Sequence, residues 1–66
     1  MSTINYIDNG NTLLGVGIRA DYSRINGRDW WIVRPYNKEW SSEVQAAAPV
    51  LRVINSKQEA IEAVTS

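Results

Sequence analysis

The sequence predicts an α+β fold: a small antiparallel sheet of three to four strands, a C-terminal helix, and a short helix before the last strand. Three observations carry this. Asn26-Gly27 stands between two β-rich runs, and a type I′ turn, which needs positive φ at both central residues, favours that dipeptide. From Thr12 to Ser23 apolar and polar residues alternate, the period of a half-buried strand. Finally, Ser56 and Glu59 form a capping-box pattern ahead of Ala60, Ile61 and Val64, which places a helix start at Ser56.

Each element follows in order. Residues 3–7, "TINYI", alternate and are rich in β-formers, so they predict a first strand. Residues 8–11, "DNGN", predict a turn. In the next run Leu14, Val16, Ile18, Ala20 and Tyr22 are expected to point inward. A two-residue loop at Asn26-Gly27 sets Tyr22 opposite Trp31, Ala20 opposite Val33, Ser23 opposite Trp30, Arg19 opposite Arg34 and Gly17 opposite Tyr36. Trp31 is therefore the inward tryptophan and Trp30 the outward one, because neighbouring strand residues face opposite ways. Pro35 cannot donate to a ladder and marks the strand's end. Ser41 or Ser42 caps a short helix through Ala48, and Pro49 stops it. Residues 50–54, "VLRVI", predict the last strand, and the capping box starts the final helix.

Sixty-six residues make one domain, 1–66, with a thin stability margin. With no cysteine and no histidine, disulfides, Ser-His-Asp and Cys-His chemistry are excluded, and a structural zinc site is not expected. Gly15 and Gly17 are not a phosphate loop, since no helix and no Lys-Ser/Thr follow them. Nothing places two carboxylates in a buried cleft, so the expectation is a non-enzyme without cofactor or metal. No apolar run approaches the roughly 20 residues that span a bilayer, and no signal-peptide pattern is present, so a cytoplasmic protein without membrane contact is expected.

The net charge is zero, from seven basic and seven acidic residues, but the signs are unevenly spread. Arg19, Arg24, Arg28, Arg34 and Lys38 make the middle basic, and Glu39, Glu43, Glu59 and Glu62 make the C-terminal part acidic. Two surfaces are candidates. Trp30, Tyr36 and Ile32 between arginines suit either a protein hot spot or a base-stacking platform. Coverage of that sheet face by the helices or by residues 37–50 would instead make Trp30 a second core residue. The acids Glu59 and Glu62 lie three apart on one helix and would suit a cation or a phosphate-like surface, although capping and the helix dipole also account for them. The neutral balance favours a protein partner over direct nucleic-acid binding.

In size, in its lack of cysteine and histidine, in Asn9-Gly10 and Asn26-Gly27, and in its hairpin followed by the "SKQEAIEAV" helix, the chain resembles the small phage-encoded anti-CRISPR proteins. The ending "VLRVINSKQEAIEAV" also resembles many small bacterial β-α domains. The first resemblance implies a stoichiometric inhibitor in the bacterial cytoplasm, a monomer or weak homodimer, that binds a CRISPR effector of the Cascade type and blocks its target DNA. Partial DNA mimicry would then draw on Asp8, Asp21, Asp29, Glu39, Glu43, Glu59 and Glu62, in a mixed interface with Trp30 and Tyr36. The alternative is a small nucleic-acid binder using Arg19, Arg24, Arg28 and Arg34.

Overall fold

The structure is a computed structural model that describes residues 6–65. Five strands form one antiparallel meander in the order β1-β2-β3-β4-β5. They are β1 (Ile7–Asp8), β2 (Thr12–Leu14), β3 (Ile18–Ile25), β4 (Arg28–Pro35) and β5 (Arg52–Ile54). Helix α1 (Ser42–Ala46) lies in the β4–β5 connection, and α2 (Lys57–Thr65) ends the described chain. The predicted α+β class is therefore correct, with one more strand than expected.

The extra strand comes from a break in the alternating run. Residues 12–23 are not one strand: they fold back at Gly15-Val16-Gly17, where Gly15 N donates to Ile18 O at 2.8 Å and Gly17 adopts φ +75°. The reversal changes the parity of everything before it. Leu13, not Leu14, faces inward and is fully buried opposite Ala20, while Leu14 is half-buried on the other face and Val16 is 87% exposed at the tip. The inward assignment of Leu14 and Val16 is thus corrected. A glycine that admits positive φ makes the turn possible, and period-2 alternation runs through such a turn without announcing it.

The central hairpin forms as the turn chemistry dictates. Asn26 and Gly27 have φ +52° and +77°, and the register pairs Tyr22 with Trp31, Ala20 with Val33, Ser23 with Trp30 and Arg19 with Arg34. Tyr36 N donates to Gly17 O at 3.0 Å, which extends that register one step beyond Pro35. The Asp8–Asn11 turn also forms, with Gly10 N donating to Asp8 Oδ1 at 2.8 Å. Of the predicted first strand, residues 3–5 lie outside the described residues, and the described strand starts at Ile7.

Other boundaries shift by a few residues. Helix α1 takes Ser41 as its N-cap and ends at Ala46; Ala48 N bonds only three residues back, to Gln45 O at 3.1 Å. Strand β5 is shorter than predicted, because Val50 and Leu51 stay outside it and are 48% and 55% exposed. Leu51 N donates to Val33 O at 2.7 Å although Val33 pairs with Arg52, so the ladder ends out of register. At α2, Glu59 N donates to Ser56 Oγ at 3.4 Å, the predicted cap.

The core lies between α2 and one face of the sheet, here the inner face. Leu13, Ala20, Trp31, Val33 and Ile54 meet Ala60, Ala63 and Val64, with Tyr6, Ile18, Tyr22 and Ile61 packed at the margin. The rings of Tyr22 and Trp31 are tilted with centroids 5.5 Å apart, a favourable aromatic geometry. Alanines at the contact let the helix approach closely. Near its end that approach is extreme, since a Cβ on Gly15 would stand 2.0 Å from the carbonyl oxygen of Val64. Lys57 ties the helix start to β1 through a 3.0 Å ion pair with Asp8.

Two predictions follow from this packing. Gly15→Ala forces backbone against backbone and should cost about 2–3 kcal/mol or more in urea unfolding; an unchanged midpoint would mean that α2 does not sit so close. The second concerns acid. The Gly10 N–H, then Lys57, holds the Asp8 carboxyl below its ordinary 3.8. A folded value below the unfolded one stabilises above the unfolded pKa and is lost as pH falls through the folded value. Asp8→Asn should therefore lower the melting temperature at pH 7 but not at pH 2.

Candidate functional site

The register assigns every strand residue to a face, and the face without α2 collects a particular set. One row across the sheet reads Ile7, Leu14, Arg19, Arg34, and the next reads Thr12, Asp21, Ile32, Val53. Ser23 with Trp30, and Ile25 with Arg28, complete this outer face. Along β4 it presents Arg28, Trp30, Ile32 and Arg34 in turn: two apolar side chains between two cations. Trp30, Ile32 and Leu14 are half-buried, while Ile7 and Val53 are 59% and 54% exposed.

Helix α1 covers one end of this face. Together with Arg19, Asp21 and Arg34 of the strands, its Ser42, Gln45 and Ala46 line a cavity of about 220 Å³. Gln45 is 9% exposed and is fixed by its side-chain amide, which donates to Pro35 O at 2.7 Å. Arg19 Nε donates to both oxygens of Asp21, at 2.9 and 3.0 Å, and the Thr12 hydroxyl adds a third bond at 3.2 Å. Both Asp21 oxygens thereby accept at least one hydrogen bond. Arg34 pairs with no carboxylate among the described residues, and its enclosed Nε and the enclosed carbonyl oxygen of Gln45 have no hydrogen-bond partner there. An enclosed polar atom left unpaired costs roughly 1–3 kcal/mol, so these two atoms mark a place where a further partner, water included, would stabilise the fold.

The sequence-predicted residues divide among several surfaces. Trp30, Asp21, Arg19, Arg28 and Arg34 share the outer face. Tyr36 is half-buried just past β4 and lines a second, open cavity of about 480 Å³ with Gly15, Val16, Gly17, Asn37 and Lys38. Asp29 and Arg24 lie across the sheet, paired with each other beyond the end of the core; the Tyr22 hydroxyl donates to Asp29 at 2.5 Å, and this bond, with the carboxylate's charge, raises the phenol's pKa. Asp8 is held by Lys57. Glu59 and Glu62 are exposed on α2, Glu43 on α1 and Glu39 in the loop before it. The acids thus do not gather on one surface. Gln45 was missed from the sequence because it reads as an ordinary helix position in an alanine-rich stretch, and Ser42 was read only as a possible cap. A glutamine between valine and three alanines is the only signal that could have singled Gln45 out.

Among the described residues no cluster of acidic side chains could hold a metal ion, and no helix is long and apolar enough to cross a membrane. The two tryptophans provide a direct check on the two faces. Trp31→Ala removes a core side chain that is 5% exposed and should cost about 3–5 kcal/mol in urea unfolding. Trp30→Ala should cost about 1 kcal/mol or less. Equal losses would mean that the outer face is closed by packing the present arrangement does not contain. No family model, no curated protein and no solved structure matches this chain.

Proposed function

We propose that the protein is a non-enzymatic binding module that docks a protein partner on the open part of its outer sheet face. The observation that carries this is the strip of half-buried Trp30 and Ile32 and exposed Val53 beside Arg28, on a face that α1 covers only at the opposite end. Tryptophan and arginine are enriched at protein hot spots, where an apolar centre is rimmed by charge. The more specific reading is an anti-CRISPR-type inhibitor that binds an effector complex and keeps it from its target DNA; it draws on the resemblance in size, composition and turn chemistry. The scatter of the acids over both sides of the sheet favours a mixed apolar and charged interface over phosphate mimicry. Arg28 beside Trp30, and Arg34 without a carboxylate, favour as a second reading a single-stranded nucleic-acid platform.

A purified Cascade-type effector and its target DNA decide between them. Stoichiometric protein should abolish target binding, Trp30→Ala should weaken this at least about tenfold, and charge reversal at Glu59 and Glu62 should change it little. If the protein alone instead binds single-stranded DNA, with affinity falling steeply between 50 and 200 mM salt, the nucleic-acid reading replaces the first. Full inhibition by Trp30→Ala would remove the outer face from the mechanism.

A further inference from the structure

The geometry points to the cavity under α1 as a binding pocket for a carboxylate that carries an amide N–H close by, as an acidic residue or a chain terminus of a partner protein does. This deepens the protein-binding reading and rests on it. The pocket is bounded by two arginines and one aspartate, but the charges are not shared evenly. Asp21 gives both oxygens to Arg19, so Arg34 remains a half-buried cation without an anion among the described residues. A carboxylate supplies what a guanidinium fork takes best, two acceptors in one plane.

Gln45 sets a second requirement. Its amide nitrogen is committed to Pro35 O at 2.7 Å, which fixes the orientation of the side chain and leaves the carbonyl oxygen as an unpaired acceptor. Both unpaired atoms are enclosed at the cavity wall, so a seated group reaches them only with a small shift of α1, and it then answers both residues only if it offers acceptors to Arg34 and a donor to Gln45. A bare carboxylate or a phosphodiester answers Arg34 alone. The Asp21 carboxylate in the wall also selects against a phosphate dianion, because like charges at short range are costly in a partly enclosed site. A volume of about 220 Å³ holds one small side chain or chain end, not a nucleotide.

The test needs no partner. The full-length protein is titrated with N-acetylglycine, which imitates a chain terminus, and with N-acetylaspartate N-methylamide, which imitates an acidic side chain. Sodium acetate and dimethyl phosphate lack the donor and serve as comparisons. The readout is the NMR shift of the Arg34 Nε–H and the Gln45 side-chain amide. Either amide-bearing carboxylate should saturate both signals with a Kd on the order of 1 mM, and acetate and dimethyl phosphate should bind about tenfold more weakly. Whichever of the first two binds more tightly identifies the source. Arg34→Lys keeps the charge but not the fork, and should abolish the Gln45 side-chain response while retaining the wild-type pattern of backbone amide shifts. Absence of any shift, with the cavity holding water alone, overturns the proposal, as does dimethyl phosphate binding at least as tightly as N-acetylglycine. Because the Trp30→Ala inhibition assay does not involve this pocket, loss of one result leaves the other standing.

Discussion

The contact between α2 and the inner face of the sheet is the constraint on which the remaining structure depends. A nine-residue helix is about 13 Å long, enough to close one face of a small sheet and no more. It does so at very short range, through Ala20, Ala60 and Ala63 and past the bare backbone of Gly15. Small residues at the contact trade side-chain burial for closeness, which leaves Leu13, Val33, Trp31 and Ile54 to fill the layer. Because there is no cysteine, and no metal-binding cluster among the described residues, this single layer holds the domain together.

The outer face follows from that economy. Once α2 is spent on the inner face, the other helix among the described residues is α1, with five residues to place over the outer face. They cover the Arg19 and Arg34 end and leave Trp30 and Ile32 half-buried and Val53 exposed. The same connection makes a wall of the cavity beneath α1, where Gln45 is pinned by its bond to Pro35. Two features with one cause, an apolar strip and a cavity containing an unmatched cation, thus adjoin on one face. A binding module gains by such adjacency, since the apolar strip supplies area and the charged pocket supplies orientation.

Charge had a different fate from shape. Counting residues divides the chain into a basic middle and an acidic end, but the fold dissolves that division. Asp21 neutralises Arg19, Asp29 faces Arg24, and Asp8 meets Lys57 from the far end of the chain. Among the described residues Arg28, Arg34, Lys38 and Arg52 are left without an ion pair, and of these Arg34 lines the cavity under α1. Exposed pairs of this kind contribute little to stability. Their effect is to decide which charges a partner would meet.

The sequence by itself determined the central hairpin, its register and the opposite orientations of Trp30 and Trp31, because turn geometry and strand alternation are local and independently agree. It also determined both helices, whose serine caps act within one turn of backbone. Only the tertiary structure decided that residues 12–23 are two strands. The alternation of Leu14, Val16 and Ile18 is compatible with either reading, and the choice fell to Gly15, whose missing Cβ is required by the carbonyl of Val64 almost fifty residues away. The pairing of Asp21 with Arg19 rather than Arg34, and the orphaned carbonyl of Gln45, were likewise beyond local reading. Partnership among charged and amide groups depends on which elements the core brings within hydrogen-bond reach, and no spacing along the chain encodes that distance.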